Sequence, residues 1–292
     1  MIEILVVVSI IAILVGILVP SLTMVRNSAK QVKQHAQFTA IDLGLAAFRS
    51  DYGDYPPSNW YSAATGGPMN YCGSQKLAEA MLGWDLLGFH PDSTWLAGTA
   101  VNAPPAPYNA ANTLDKRRDR YIDIDTANVF YLGDLFPATA PLAAYTHVLC
   151  DVFEVPGKKV QRQDGKIVSP GTPILYYKAN PASKTLFETN ATLRVPSDGR
   201  IYNARDNAPL VALGRMTDNM KHWIDPSNPV NNDLRYVVDA GDEFPYFYQW
   251  YIRDPKVLPR YWPYRPDSYV LISAGPDGLY GTEDDICNFG RK

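Results

Sequence analysis

The residues best suited to chemistry lie near the end of this 292-residue chain. Asp277, Glu283, Asp284 and Asp285 place four carboxylates within nine residues, interleaved with Gly278 and Gly281 and preceded by Gly275. A Ca²⁺ ion takes about 6–8 oxygen ligands, and a Gly-rich turn frees backbone carbonyls to join carboxylates around it. The Asp-x-Asp-x-Asp-Gly spacing of an EF-hand is not present. On chemistry alone two readings stand: a cation-holding loop, and an Asp-Gly-rich turn kept wet at the surface.

Other reactive residue types do not converge. His35, His90, His147 and His222 are scattered, and His222 beside Trp223 reads as a packed surface pair rather than a base. Neither GxSxG, HExxH, a P-loop nor GxGxxG occurs. Asp242 and Glu243 stand side by side, but neighbours in a strand point to opposite faces. Cys72, Cys150 and Cys287 lack metal-type spacing. One disulfide with a thiol left over and three unrelated buried thiols both fit them. The aromatic run from Tyr246 to Tyr264 reads as core and sheet surface, with a sugar-binding platform as the alternative. A formal charge of -3 gives no electrostatic drive toward nucleic acid, and none is expected as a partner. The expectation is a protein that is not an enzyme.

The elements that must position these residues start with an apolar helix. Residues Ile4–Leu22 run for nineteen positions without a charge, about 28 Å of helix, close to the thickness of a bilayer core. Glu3 precedes them. Carried to a membrane centre, such a carboxylate costs on the order of 2.5–3.5 kcal/mol, and less near the interface. Beyond Leu22 the apolar residues Val25, Ala29, Val32, Ala36, Ala40, Leu43 and Ala47 recur at steps of three and four, a helical stripe expected to pack on a folded partner. Arg26, Lys30 and Lys33 fall on another face. One continuous helix over about 2–51 is therefore expected, apolar all round in residues 1–24 and amphipathic in 25–52.

After Pro57 short apolar or aromatic runs alternate with turn residues. Residues 174–178, 185–189, 235–239, 246–252 and 269–273 read as strands, and 75–87 as a short helix ending before Gly88. With 24 prolines the remainder is rich in loops. The expected fold class is α+β: a long N-terminal helix (1–52) packed on an antiparallel β-sheet head (53–292), with a large insertion at 58–267 and the acidic loop at 275–286.

The opening MIEILVVVSIIAILVGILVPSL resembles the prepilin N-terminal motif of type IV pilins and type II secretion pseudopilins. Ile2-Glu3-Ile4-Leu5-Val6-Val7 matches the motif's core, and Pro20 matches the helix proline. Two residues fewer than usual precede the glutamate, so a truncated, wrongly chosen or trimmed start is expected. Ala47-Phe48-Arg49-Ser50-Asp51-Tyr52-Gly53-Asp54-Tyr55-Pro56-Pro57 is similar to the helix end and turn of the major type II pseudopilin, protein G. Residues 273–286 are similar to that family's calcium loop. The resemblance covers 1–57 and 268–289.

The resemblance implies a structural filament subunit, in a pilus or secretion pseudopilus, polymerising through its apolar helix into a homo-oligomer. It implies Ca²⁺ held by the side chains of Asp277, Asp284 and Asp285 and the carbonyl of Leu279. Glu3 would pair with a neighbour's N-terminal amine, while Gly16 and Pro20 would allow local unwinding on packing. A prepilin peptidase and an inner-membrane assembly machinery are the implied partners. The basic cluster near Arg26 would by charge bias place the head in the cytoplasm. The family's leader carries the cytoplasmic charge instead, which implies an extracytoplasmic head on an inner-membrane monomer, then a periplasmic or cell-surface filament. From a different class, a membrane-anchored glycan-binding or hydrolytic domain is the alternative.

Overall fold

The computed structural model describes residues 2–61, 69–100, 102–109, 113–162, 165–186, 200–228, 246–259 and 261–290, with the backbone alone at 2, 5, 19–21 and 23. Helix α1 runs unbroken over Ile2–Tyr52, through both Gly16 and Pro20. It ends where Gly53 takes φ 83°, its N–H bonding to the Arg49 carbonyl at 2.7 Å. A left-handed residue there satisfies a helix-end carbonyl, and Pro56 and Pro57 then forbid continuation.

The amphipathic half is phased differently from expectation. Phe38, Ile41, Leu45 and Phe48 are buried, together with Gln34, Gln37 and Gly44. The predicted stripe points away: Val25, Val32 and Leu43 are 65%, 70% and 68% exposed. Ala29, Ala36 and Ala47 are also exposed, and Ala40 is half-buried. Both stripes repeat every three to four residues, so period alone does not choose between them. Area does. Burying two Phe, an Ile and a Leu removes far more apolar surface than burying alanines.

Against that face lies α2 (Gly73–Leu82), buried along its whole length. A Cβ on Gly44 would lie 2.9 Å from the Met81 sulfur and 3.2 Å from the Tyr121 carbonyl, so glycine permits this close approach. The expected helix at 75–87 is thus earlier and shorter. Its end is set by Gly83 at φ 86°.

Strands β1 (Val129–Tyr131) and β2 (His147–Leu149) pair antiparallel, as do β3 (Val160–Gln161) and β4 (Ile167–Val168). The central sheet has the order β5 (Leu175–Lys178), β6 (Tyr269–Ser273), β7 (Ile286–Cys287), all antiparallel. Every residue of β6 is buried because the sheet is covered on both faces. Tyr176, Tyr269 and Leu271 join the core built on α1 and α2. Leu175, Tyr177, Val270 and Ile272 face a second core containing Phe247, Tyr248, Tyr251 and Tyr280. Side chains alternate across a strand, so a strand buried on both sides reads as the unbroken apolar run YVLIS. The molecule is therefore mixed helix and sheet, with small antiparallel sheets. The stretch 58–267 supplies α2 and β5 to the same two cores.

Three strand expectations fail or fall wholly or partly outside the described residues. Residues Tyr246–Tyr251 form a π-helical turn, not a strand. The turn directs Tyr246, Phe247, Tyr248 and Tyr251 into the core and leaves Trp250 53% exposed, where a strand would split them between two faces. At 185–189, Thr185 makes an isolated bridge with Arg200, and residues 187–189 lie outside the described residues. The expected strand 235–239 and the pair Asp242–Glu243 also lie outside them.

Candidate functional site

The first candidate surface is the N-terminal half of α1. Between Ile4 and Leu18 eleven large aliphatic side chains stand 51–71% exposed. Glu3 and Gly16 are exposed beside them, and a Cβ on Gly16 would touch nothing within 4 Å. Pro20 lies within the helix, which does not unwind there. Consecutive described side chains here run only from Val6 to Leu18, about 20 Å of helix. Among the described residues no helix is long and apolar enough to cross a membrane. Contiguous apolar surface on this scale, beyond a few hundred Å², marks a place that something covers.

Toward the head the helix acquires anchors. Lys30 pairs with Glu154 at 3.6 Å. Among the described residues Gln34 is the first buried side chain, its Oε1 accepting from the Val152 N–H at 3.0 Å. Gln37 Nε2 donates to the carbonyls of Thr126, Ala127 and Cys150 at 2.9–3.1 Å. Asp42 accepts from the Tyr269 hydroxyl at 2.6 Å and from Asn288 Nδ2 at 3.3 Å, and lies 3.8 Å from Arg265. These polar ties on a buried face fix the rotation of the helix as well as its position.

The second candidate is the loop between β6 and β7, which contains all four predicted ligands. Asp277 Oδ1 accepts from the Leu279 N–H at 2.7 Å, and Asp284 Oδ2 from the Asp277 N–H at 3.1 Å. Asp285 Oδ2 accepts from the Gly281 N–H at 2.7 Å and from the Tyr251 hydroxyl. Each carboxylate thus spends one oxygen on the backbone. The glycines are required: Gly275 has φ 65°, and a Cβ on it would sit 2.3 Å from the Asp284 carbonyl oxygen.

Sequence reasoning missed the hub of this loop. Thr282 Oγ1 donates to the Leu279 carbonyl at 3.1 Å, to Asp284 Oδ1, and at 3.4 Å to Asp285 Oδ1. A hydroxyl has one hydrogen, so three acceptors crowd one donor. Burial, and then the charge of Asp284 working against the Leu279 N–H bond, hold the Asp277 carboxyl above the ordinary carboxylate range. Excess negative oxygen around a scarce donor fits a hard cation. The fit is partial, however. Among the described residues no group of three or more His, Cys, Asp or Glu is arranged to hold a metal. One oxygen of Asp284, one of Asp285 and the Leu279 carbonyl converge on Thr282, and the other oxygen of each carboxylate is already committed to a backbone N–H, as is one oxygen of Asp277.

His222, His147 and Cys72 are held in their neutral forms by burial. His222 is buried rather than at the surface, accepting from the Tyr280 N–H at 3.1 Å. Burial holds its pKa down to about 3, and that of His147 to about 4. All three cysteines are free, and burial raises the Cys72 thiol to about 11. An imidazole that stays neutral and a thiol that stays protonated serve packing.

The chain matches no protein-family model, no curated protein and no solved structure.

Proposed function

We propose that this chain is the structural subunit of a type IV pilin-like filament, a pilus or a type II secretion pseudopilus, polymerising through the apolar half of α1. One observation carries the reading. A single 51-residue helix exposes its aliphatic first half on every described side, while its second half is locked into the head by Gln34, Gln37, Phe38, Ile41, Asp42, Leu45 and Phe48. Such a rod needs cover that its own head does not provide. Identical rods provide it.

Burying eleven aliphatic side chains, each already partly shielded, contributes on the order of ten kcal/mol per subunit. That matches in order the roughly 4–15 kcal/mol of motion lost on association. Cohesion is then adequate but not register-specific. Glu3 supplies register, because a buried carboxylate without a partner is costly and a neighbour's N-terminal amine would neutralise it. Before assembly the apolar half rests in the inner membrane with the head outside the cytoplasm, and assembly machinery extracts it.

In the β6–β7 loop Ca²⁺ would be held by the Thr282-facing oxygens of Asp284 and Asp285 and by the Leu279 carbonyl, with Asp277 at the margin. Bound there, the ion would supply charge neutralisation and loop rigidity. The chain's own Thr282, Gly281 N–H and Tyr251 hydroxyl hold the acidic side chains in place.

Electron microscopy of the full chain produced with an assembly machinery tests the proposal. Helical fibres of this chain are expected, and Glu3→Ala should leave a folded monomer while abolishing fibres. Discrete single particles from the unaltered chain would sink the reading; normal fibres from Glu3→Ala would remove the pairing role.

A further inference from the structure

We infer that the head carries a binding cleft for a neutral oligosaccharide, formed where the π-helical turn meets the acidic loop. The cleft has a volume of about 580 Å³ and is lined by Gln249, Trp250, Arg253, Tyr264, Glu283 and Asp285. That size lies within the roughly 300–1,000 Å³ of small-ligand clefts.

Three features point to a sugar. The first is an indole 53% exposed at the cleft, on a turn whose other aromatics are buried. Aromatic rings pair a broad apolar face with low conformational cost, and the C–H face of a pyranose is its natural complement. The second is an uncommitted donor in the wall. Gln249 is only 4% exposed, yet its Nε2 has no hydrogen-bond partner among the described residues. The Arg253 Nε is in the same condition. A buried donor left without an acceptor is costly, and a turn of the Gln249 amide toward a ligand oxygen in the cleft recovers that cost.

The third feature is the mixture of functions around the rim. Gln249 and Arg253 donate, whereas Glu283 and Asp285 accept. A hydroxyl does both, so neighbouring sugar hydroxyls satisfy donors and acceptors together. A phosphate or sulfate would meet two carboxylates against one guanidinium, and the balance of charge disfavours it. The site is held firm from outside. The Arg253 guanidinium stacks 4.0 Å from the Tyr261 ring centroid, and Asp285 is bonded by the Tyr251 hydroxyl and the Gly281 N–H. Binding here is independent of filament formation.

The full chain in detergent micelles is titrated by calorimetry with three probes: the tetrasaccharides of β-1,4-linked glucose, α-1,4-linked glucose and β-1,4-linked N-acetylglucosamine. At least one should bind with a Kd between about 1 μM and 1 mM, an affinity near 4–8 kcal/mol. Trp250→Ala should weaken that binding at least tenfold without changing the melting temperature, and Gln249→Ala should weaken it also. Leu87→Ala, an exposed apolar position outside the cleft, should leave it unchanged. If Gln249→Ala does not fold, Trp250→Ala decides. Absence of heat with all three probes overturns the inference, as does unaltered affinity in Trp250→Ala.

Discussion

Leu43 and Leu45 stand two residues apart on α1 and face opposite ways, which makes them a matched test of the helix phase. Leu45 is fully buried with Phe38, Ile41 and Phe48. Truncating a leucine at such a site costs about 2–5 kcal/mol, the lost transfer energy plus a cavity. Leu43 is 68% exposed. With about a third of its surface covered, and full burial of a leucine contributing about 1.5–3 kcal/mol, Leu43→Ala should cost about 0.5–1 kcal/mol at most. Alanine's higher helix propensity offsets part of even that. Urea unfolding of the full chain in mild detergent, followed by tryptophan fluorescence, reads the difference. With a slope of about 1–3 kcal/mol per M, Leu45→Ala should lower the midpoint by about 1–2 M and Leu43→Ala by under about 0.5 M. Leu43→Lys should likewise spare the monomer but reduce fibre yield, if the exposed stripe continues the assembly surface. Equal losses from the two alanine variants, or a larger loss at position 43, would refute the phase and the argument from area.

Asp151 is fully buried, accepting from the N–H groups of Phe153 and Thr172 and from the Ser273 hydroxyl, and burial pushes its pKa up to about 7. An acid whose folded pKa is raised keeps a proton the unfolded chain has lost, so this group's contribution to stability falls as pH rises from about 4 to 7, by on the order of 4 kcal/mol. Asp151→Asn should therefore gain stability over the unaltered chain at pH 8 and gain little at pH 4; a gain equal at both pH values would refute it. His222 and His147, held neutral by burial, act in the opposite sense, losing stability as pH falls below about 6.5. Gly275→Ala should cost at least about 2 kcal/mol, from a left-handed backbone and a clash with the Asp284 carbonyl, read as a lowered urea midpoint. Saturating Ca²⁺, at about a hundred times its Kd, should raise the melting temperature by about 5–10 °C. The double change Asp284→Asn with Asp285→Asn should abolish that rise, and an unchanged melting temperature in the unaltered chain would exclude the ion.

Much of the fold could be read where one local rule governed. The length of α1 followed from a long charge-free run and a Gly-Pro stop, and β6 from an unbroken apolar run between turns. The helix phase could not, because two stripes share one period and only the head's shape selects Phe38, Ile41, Leu45 and Phe48. The aromatic run 246–251 has strand propensity, but a strand would have turned half of its side chains away from the second core, and the wider turn seats four of them in it. The acidic loop was visible in composition alone. Its hub was not, since Thr282 gains meaning only when the chain folds back and brings Leu279, Asp284 and Asp285 to one hydroxyl. The link from Tyr251 to Asp285 spans thirty-four positions, and nothing local announces it.

The bonds that seat Asp42 beneath Tyr269 and Asn288 act as a key in a slot. Because α1 has no break between that key and Ile4, the exposed shaft and the head share one angular reference. Inserting a single residue into the shaft would turn the head by about 100° and lift it about 1.5 Å, whereas seven residues would bring it back to within about 20°. The distance between shaft and head is therefore counted in residues per turn, and a chain of this design tolerates length changes in its stem only in whole-turn increments.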